Sequence, residues 1–166
     1  MKTKNILMII FGAIAFAINF YIVYEGFVPV ESSAATSVGF AETLINIIKS
    51  VVPSSNIDSN PEAVHAVVRK LFGHFLLFGA SGLFTGLCLV MLGREIVGKE
   101  LEIFLSGLAA GLSVSIFSEV AQLFAPGRFG LFTDVLIDFA GFVVFFAITF
   151  IVAYLIIHKK NKEVMN

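Results

Sequence analysis

Eight side chains that can carry charge, move protons or hold a polar ligand lie in or beside apolar stretches: Arg69, Lys70, His74, Glu119, Gln122, Arg128, Asp134 and Asp138. A charge inside a bilayer costs about 2.5–3.5 kcal/mol on insertion scales, so such residues need partners or a function. Their spacing groups them. Lys70 and His74 are four apart, Glu119 and Gln122 three, Asp134 and Asp138 four, and each pair shares a helix face. Ala125-Pro126-Gly127-Arg128-Phe129-Gly130 is a short connection that can drop Arg128 over the others. Arg128 and Lys70 suit a phosphate or carboxylate, and the acids suit amines or hydroxyls. His74 could serve as a general base oriented by a carboxylate, with Glu119 as the other half of an acid–base pair. No strong nucleophile accompanies them, although Ser118 adjoins Glu119, and no GxSxG, HExxH or Gly-rich phosphate loop occurs. His74, Glu119 and Asp138 could supply metal ligands, but without a spaced ligand motif no metal and no other cofactor is expected. His65 and His158 read as surface residues. The competing reading is structural: Arg69, Lys70 and Arg128 pair with Glu119, Asp134 and Asp138 only to lock helices together.

Four stretches must position these groups: residues 6–24, 71–92, 101–124 and 135–157. Each has roughly the 20 apolar residues needed to cross about 30 Å of hydrocarbon. Counting 1.5 Å per residue, Glu119 lies roughly 7 Å below the end of its span, and His74 and Asp138 roughly 5 Å below theirs. Three helices thus place ionisable groups at nearly one level. Residues 6–24 also compete with a cleavable signal, since Ser32–Ala35 offers small residues, but the apolar core exceeds the usual 7–15 or so.

Composition agrees with a membrane solvent. Of 166 residues 58% are hydrophobic and 14% charged, against about 45–50% and 25% in soluble domains, and mean hydropathy is +0.96. The net charge of −1 opposes a nucleic-acid partner. The lone Cys88 excludes an internal disulfide and reads as a small packing residue. The expected fold is all-α, a polytopic bundle of four transmembrane helices forming one membrane domain over residues 1–166.

With both termini cytoplasmic, inner segments carry Lys2, Lys4, Arg94, Lys99, Lys159, Lys160 and Lys162, and outer ones Lys49, Arg69, Lys70 and Arg128. That asymmetry favours this orientation and puts the polar site outside. The outer loop, residues 25–70, contains an amphipathic helix at Val38–Val52, lying in the interface or packed on the span mouths. Within the loop, Ser54–Asn60 is a break and Asn60-Pro61-Glu62 a helix start. The short Gly93–Glu100 connection makes spans two and three antiparallel neighbours. Gly107/Gly111 and Gly82/Gly86 form GxxxG pairs, which serve packing within the bundle or, through Gly107/Gly111, a homo-oligomer.

Two runs resemble a known family. Arg69-Lys70-Leu71-Phe72-Gly73-His74-Phe75, followed by Phe78-Gly79, resembles the first signature of the VanZ-like membrane proteins. Ser118-Glu119-Val120-Ala121-Gln122-Leu123-Phe124-Ala125-Pro126-Gly127-Arg128, continuing through Thr133-Asp134-Val135-Leu136 to Asp138 and Gly141, resembles the second. The resemblance covers about residues 69–157. Many members carry Asn where this chain has Asp138, and the extra acid could alter binding or pair with Arg69, Lys70 or Arg128. The resemblance implies a bacterial cell-envelope protein of the cytoplasmic membrane, in a family named for teicoplanin resistance, and implies no particular reaction. The leading expectation is a binder of an anionic lipid-linked or peptidoglycan-related ligand, such as a lipid-linked cell-wall precursor, among the membrane lipids. Lowered susceptibility to glycopeptide or lipoglycopeptide antibiotics could follow. The alternatives are an enzyme acting on a lipid head group through His74 and Glu119, and a structural or assembly protein.

Overall fold

The computed structural model describes residues 3–51, 61–93 and 99–165. It has helices and, among the described residues, no strand. They are α1 (Thr3–Phe27), α2 (Val30–Val51), α3 (Pro61–Val68), a π-helical segment (Arg69–Leu76), α4 (Leu77–Gly93), α5 (Glu100–Gln122) and α6 (Phe132–Met165). Four stretches are long and apolar enough to cross a membrane: Asn5–Phe27, Ala66–Leu92, Glu100–Gln122 and Phe132–Ile156. Their surfaces are apolar, with Phe16, Phe20, Phe117 and Ile156 all exposed. So much uncovered hydrocarbon is far beyond what a soluble monomer carries.

Residue pairings give the threading. Phe11 stacks near Phe84, Asn19 accepts a hydrogen bond from Ser81, and Cys88 Sγ donates weakly to the Met8 carbonyl at 3.6 Å, so α1 and α4 run antiparallel. Lys70 meets Asp134 and His74 meets Asp138, so spans two and four run parallel. Gly107 faces Phe146 and Gly111 faces Phe142, which makes α5 antiparallel to α6. Consecutive spans alternate in direction.

With lipid tails as apolar as leucine, contact between spanning helices depends on close packing rather than on hydrophobic burial. Small residues make that possible. A Cβ on Gly82 would sit 2.2 Å from the Phe142 carbonyl oxygen, and one on Gly141 would sit 2.1 Å from that of Phe75. The α4 and α6 backbones touch there. Gly107 and Gly111 admit the rings of Phe146 and Phe142 instead. Both GxxxG pairs are therefore filled from within one chain. The core is Ile22, Phe78, Phe142 and Phe146, extended by Phe104 and Phe150 with ring centroids 5.3–5.8 Å apart.

α2 appears where an amphipathic helix was expected and begins earlier, at Val30. Val30 N–H donates to the Pro126 carbonyl, which ties α2 to the connection between α5 and α6. Pro61 opens α3 as a first-turn proline should. The break at residues 54–60 and Arg94 lie outside the described residues.

Candidate functional site

One end of the bundle gathers the polar groups. Glu119 is three residues before the end of α5, Asp134 and Asp138 lie in the first turns of α6, and His74 lies in the π-helical segment. All three carboxylates are buried, Asp138 completely. The π-helical segment is continuous with its neighbours: Val68 and Leu77, at its two ends, keep right-handed helical angles. Wider i→i+5 turns are rare and recur at functional sites. This one carries Arg69, Lys70 and His74 at its turns and faces the start of α6.

Two parallel rungs join these elements. Lys70 Nζ lies 2.5 Å from Asp134 Oδ1. One turn deeper, His74 Nδ1 lies 2.9 Å from Asp138 Oδ1. With Asp138 ionised, Nδ1–H would donate to it and Nε2 would keep its lone pair. Nε2 is 4.0 Å from Asp134 Oδ2, and Nδ1 is 4.0 Å from Glu119 Oε1. The imidazole is surrounded by three acids. Among the described residues Asp138 Oδ2 is buried without a hydrogen-bond partner. A buried polar atom in that state carries its full desolvation cost.

Glu119 is committed differently. Its Oε1 accepts from Gln122 Nε2 at 2.6 Å, and its Oε2 accepts from the Leu131 backbone N–H at 2.9 Å. The Glu119 carboxylate thereby fastens the connection between α5 and α6. Gly130 is required under it, because a Cβ there would lie 2.4 Å from the Glu119 carbonyl oxygen. Gly127 makes the preceding turn at φ +73°, a conformation that favours glycine.

Arg128 stands in that connection, half-buried. Burial pushes its guanidinium down from its usual value, and neighbouring Arg69 acts in the same direction, while Glu25 and Glu119 oppose both. Arginine remains charged under such shifts. Among the described residues its side chain forms no salt bridge, and neither does that of Arg69. Arg128 and Arg69 therefore stand near each other, with Glu25 and Glu119 within electrostatic reach of Arg128 and neither guanidinium in a salt bridge among the described residues.

The eight residues singled out by sequence are thus brought to one end, with changes in pairing. Of the three expected cations, Lys70 alone pairs with an expected acid. Asp138, not Glu119, is the carboxylate on His74, since Glu119 is spent on the loop. The metal-capable set also changes. His74, Glu119 and Asp134 each offer an atom, all within 4.8 Å of one another, where Asp138 had been the expected third. The Leu131 N–H was not foreseen, because no side chain marks a backbone donor. Glu25 lies near the end of α1, in the segment read from sequence as the outer loop, and α1 ends beside Ala121, with a Gly26 Cβ position 2.7 Å from the Ala121 Cβ. Counting spans one and three as parallel would have found that approach.

Beside the polar end, an apolar cleft of about 290 Å³ is lined by Val67, Lys70, Leu71, Phe75 and Ile137. Lys70 joins it to the cluster. Phe27, Phe124, Phe129 and Phe132 are exposed around the same end.

A sequence model of the family described as VanZ/LLP1 matches residues 6–154. The match spans the whole polar cluster and also takes in the first span and α2, which carry no quoted signature. No curated protein and no solved structure matches the chain.

Proposed function

Because the chain belongs to the VanZ/LLP1 family, we propose that it is a bacterial envelope protein that binds an anionic, lipid-linked head group at its polar end, and that this end faces outward. The carrying observation is the half-buried Arg128, which lies near Arg69 and within electrostatic reach of Glu25 and Glu119, yet forms no salt bridge among the described residues. Like charges held together favour an anion between them, and guanidiniums grip phosphate or carboxylate through paired hydrogen bonds. Beneath them His74, Asp134 and Asp138 suit the hydroxyl or amine groups of a sugar or peptide. The neighbouring cleft supplies an apolar wall for a chain, which favours a lipid-linked ligand over a free one. Holding a lipid-linked cell-wall precursor there would reduce the access of a glycopeptide or lipoglycopeptide to it.

Native mass spectrometry from nanodiscs tests this reading. Anionic lipid should remain bound through detergent stripping where phosphatidylcholine does not. Equal retention of both would sink it.

A second reading rests on the His74–Asp138 contact, because an imidazole held by a buried carboxylate is arranged for proton transfer. Purified protein turning over a labelled head group, with turnover but not binding lost in His74→Ala, would favour an enzyme. In that case the base is held by Asp138 rather than paired with Glu119.

A further inference from the structure

We propose that His74, Glu119 and Asp134 form a site for a first-row divalent metal ion, with Asp138 holding the imidazole from behind. The proposal does not depend on what Arg69 and Arg128 bind. One ligand-capable atom from each of the three residues lies within 4.8 Å of the others. Ligands on a single zinc ion stand about 3–4 Å apart, given bonds of about 2.0–2.2 Å. Small side-chain rotations close that difference. Three protein ligands leave coordination positions open for water or for a ligand oxygen, as catalytic sites do.

Each donor has capacity to spare. Lys70 occupies Asp134 Oδ1, which leaves Oδ2 facing His74 Nε2 at 4.0 Å. With Nδ1–H donating to Asp138, the Nε2 lone pair is left to ligate beside Asp134 Oδ2, while Glu119 Oε1 approaches from the Nδ1 side at 4.0 Å. This carboxylate–imidazole–metal arrangement is the usual second layer of a histidine ligand. Each Glu119 oxygen accepts one hydrogen bond and retains a further lone pair.

A second observation points to a missing positive charge. Asp138 is fully buried, its carboxyl faces His74, and its Oδ2 has no hydrogen-bond partner among the described residues. Three buried carboxylates stand here around one imidazole, with the Lys70 ammonium on Asp134 and the Arg128 guanidinium within reach of Glu119. A divalent ion at the imidazole would place positive charge where no lysine or arginine contacts Asp138 among the described residues. The mixture of one nitrogen and two carboxylate oxygens suits zinc or manganese better than magnesium or calcium, which take oxygen ligands.

The test uses full-length protein purified on a tag without histidines, stripped with chelator and titrated with Zn²⁺ alone. Zinc retained after desalting is counted by elemental mass spectrometry, and circular dichroism confirms folding. One zinc per chain is expected. Asp134→Asn, which preserves shape, should abolish stoichiometric retention. Asp138→Asn should weaken affinity about 10–100-fold, as loss of a partner behind a ligand does. Retention of anionic lipid is measured separately on the zinc-free chain, so this test and that of anion binding fail separately. Failure of the unaltered chain to retain zinc, or equal retention by folded Asp134→Asn protein, would overturn the site. The cluster's excess charge would then be met by a proton.

Discussion

His74 Nδ1 and Asp138 Oδ1 lie 2.9 Å apart, sixty-four residues apart in sequence, and this contact joins the π-helical segment to the buried start of α6. Removing the imidazole leaves both Asp138 oxygens without it in a site with no exposure. Stripping the donor from a buried acceptor costs about 1–3 kcal/mol, and more where the acceptor is charged. His74→Ala should therefore lower the detergent melting temperature sharply. The double variant His74→Phe/Asp138→Leu should recover much of the loss, because it leaves no orphaned charge. A double variant no more stable than His74→Ala would show that the pair is not the source.

Glu119 works on the loop through Leu131 N–H. Glu119→Gln replaces a charged acceptor by a neutral one at this staple. The expected cost is about 1.5–3 kcal/mol, the range for a hydrogen bond to a charged group. Hydrogen exchange should quicken at the Leu131 amide and not in mid-α5. Unchanged exchange at Leu131 would remove the staple.

Glycine substitutions should divide by position. A Cβ on Gly82 meets the Phe142 carbonyl oxygen at 2.2 Å, whereas one on Gly39 in α2 meets nothing within 4 Å. Gly82→Ala should force α4 from α6 and lower the yield of folded protein. Gly39→Ala should be neutral or stabilise α2 by up to about 1 kcal/mol. Equal melting temperatures for the two would contradict the close approach.

Phe146 is fully buried, stacks with Phe104 and Phe142, and meets Phe150 at a tilt. Phe146→Ala should cost about 3–5 kcal/mol through the cavity it leaves. Phe16→Ala, at an exposed position, should cost far less in the same unfolding assay.

Four spans were legible because apolar length is a strong signal in lipid, and the polar end was legible because each charge could be counted from a span end. That Lys70 meets one of the three acids was expected; that the acid is Asp134 was not, because spacing did not separate the acids. The identity of the partner on His74 did not follow from spacing either, because Glu119 and Asp138 are chemically alike and differ in whether a backbone N–H reaches them. That N–H, on Leu131, depends on the path of the loop. The π-helical turns at Arg69–Leu76 also left no mark, since Gly73 fits an ordinary helix equally well. α2 began eight residues earlier than expected because Val30 is held by Pro126, a contact between segments distant in sequence.

The central claim is that the polar end is a ligand site rather than helix glue, and Arg128→Gln tests it most directly. Among the described residues the Arg128 side chain forms no salt bridge, so its loss should leave the melting temperature unchanged. Affinity for an anionic lipid in nanodiscs, titrated against phosphatidylcholine, should fall about tenfold or more, the worth of a charge-assisted hydrogen bond. A variant that melts lower yet binds anionic lipid as tightly as the unaltered chain would contradict the account.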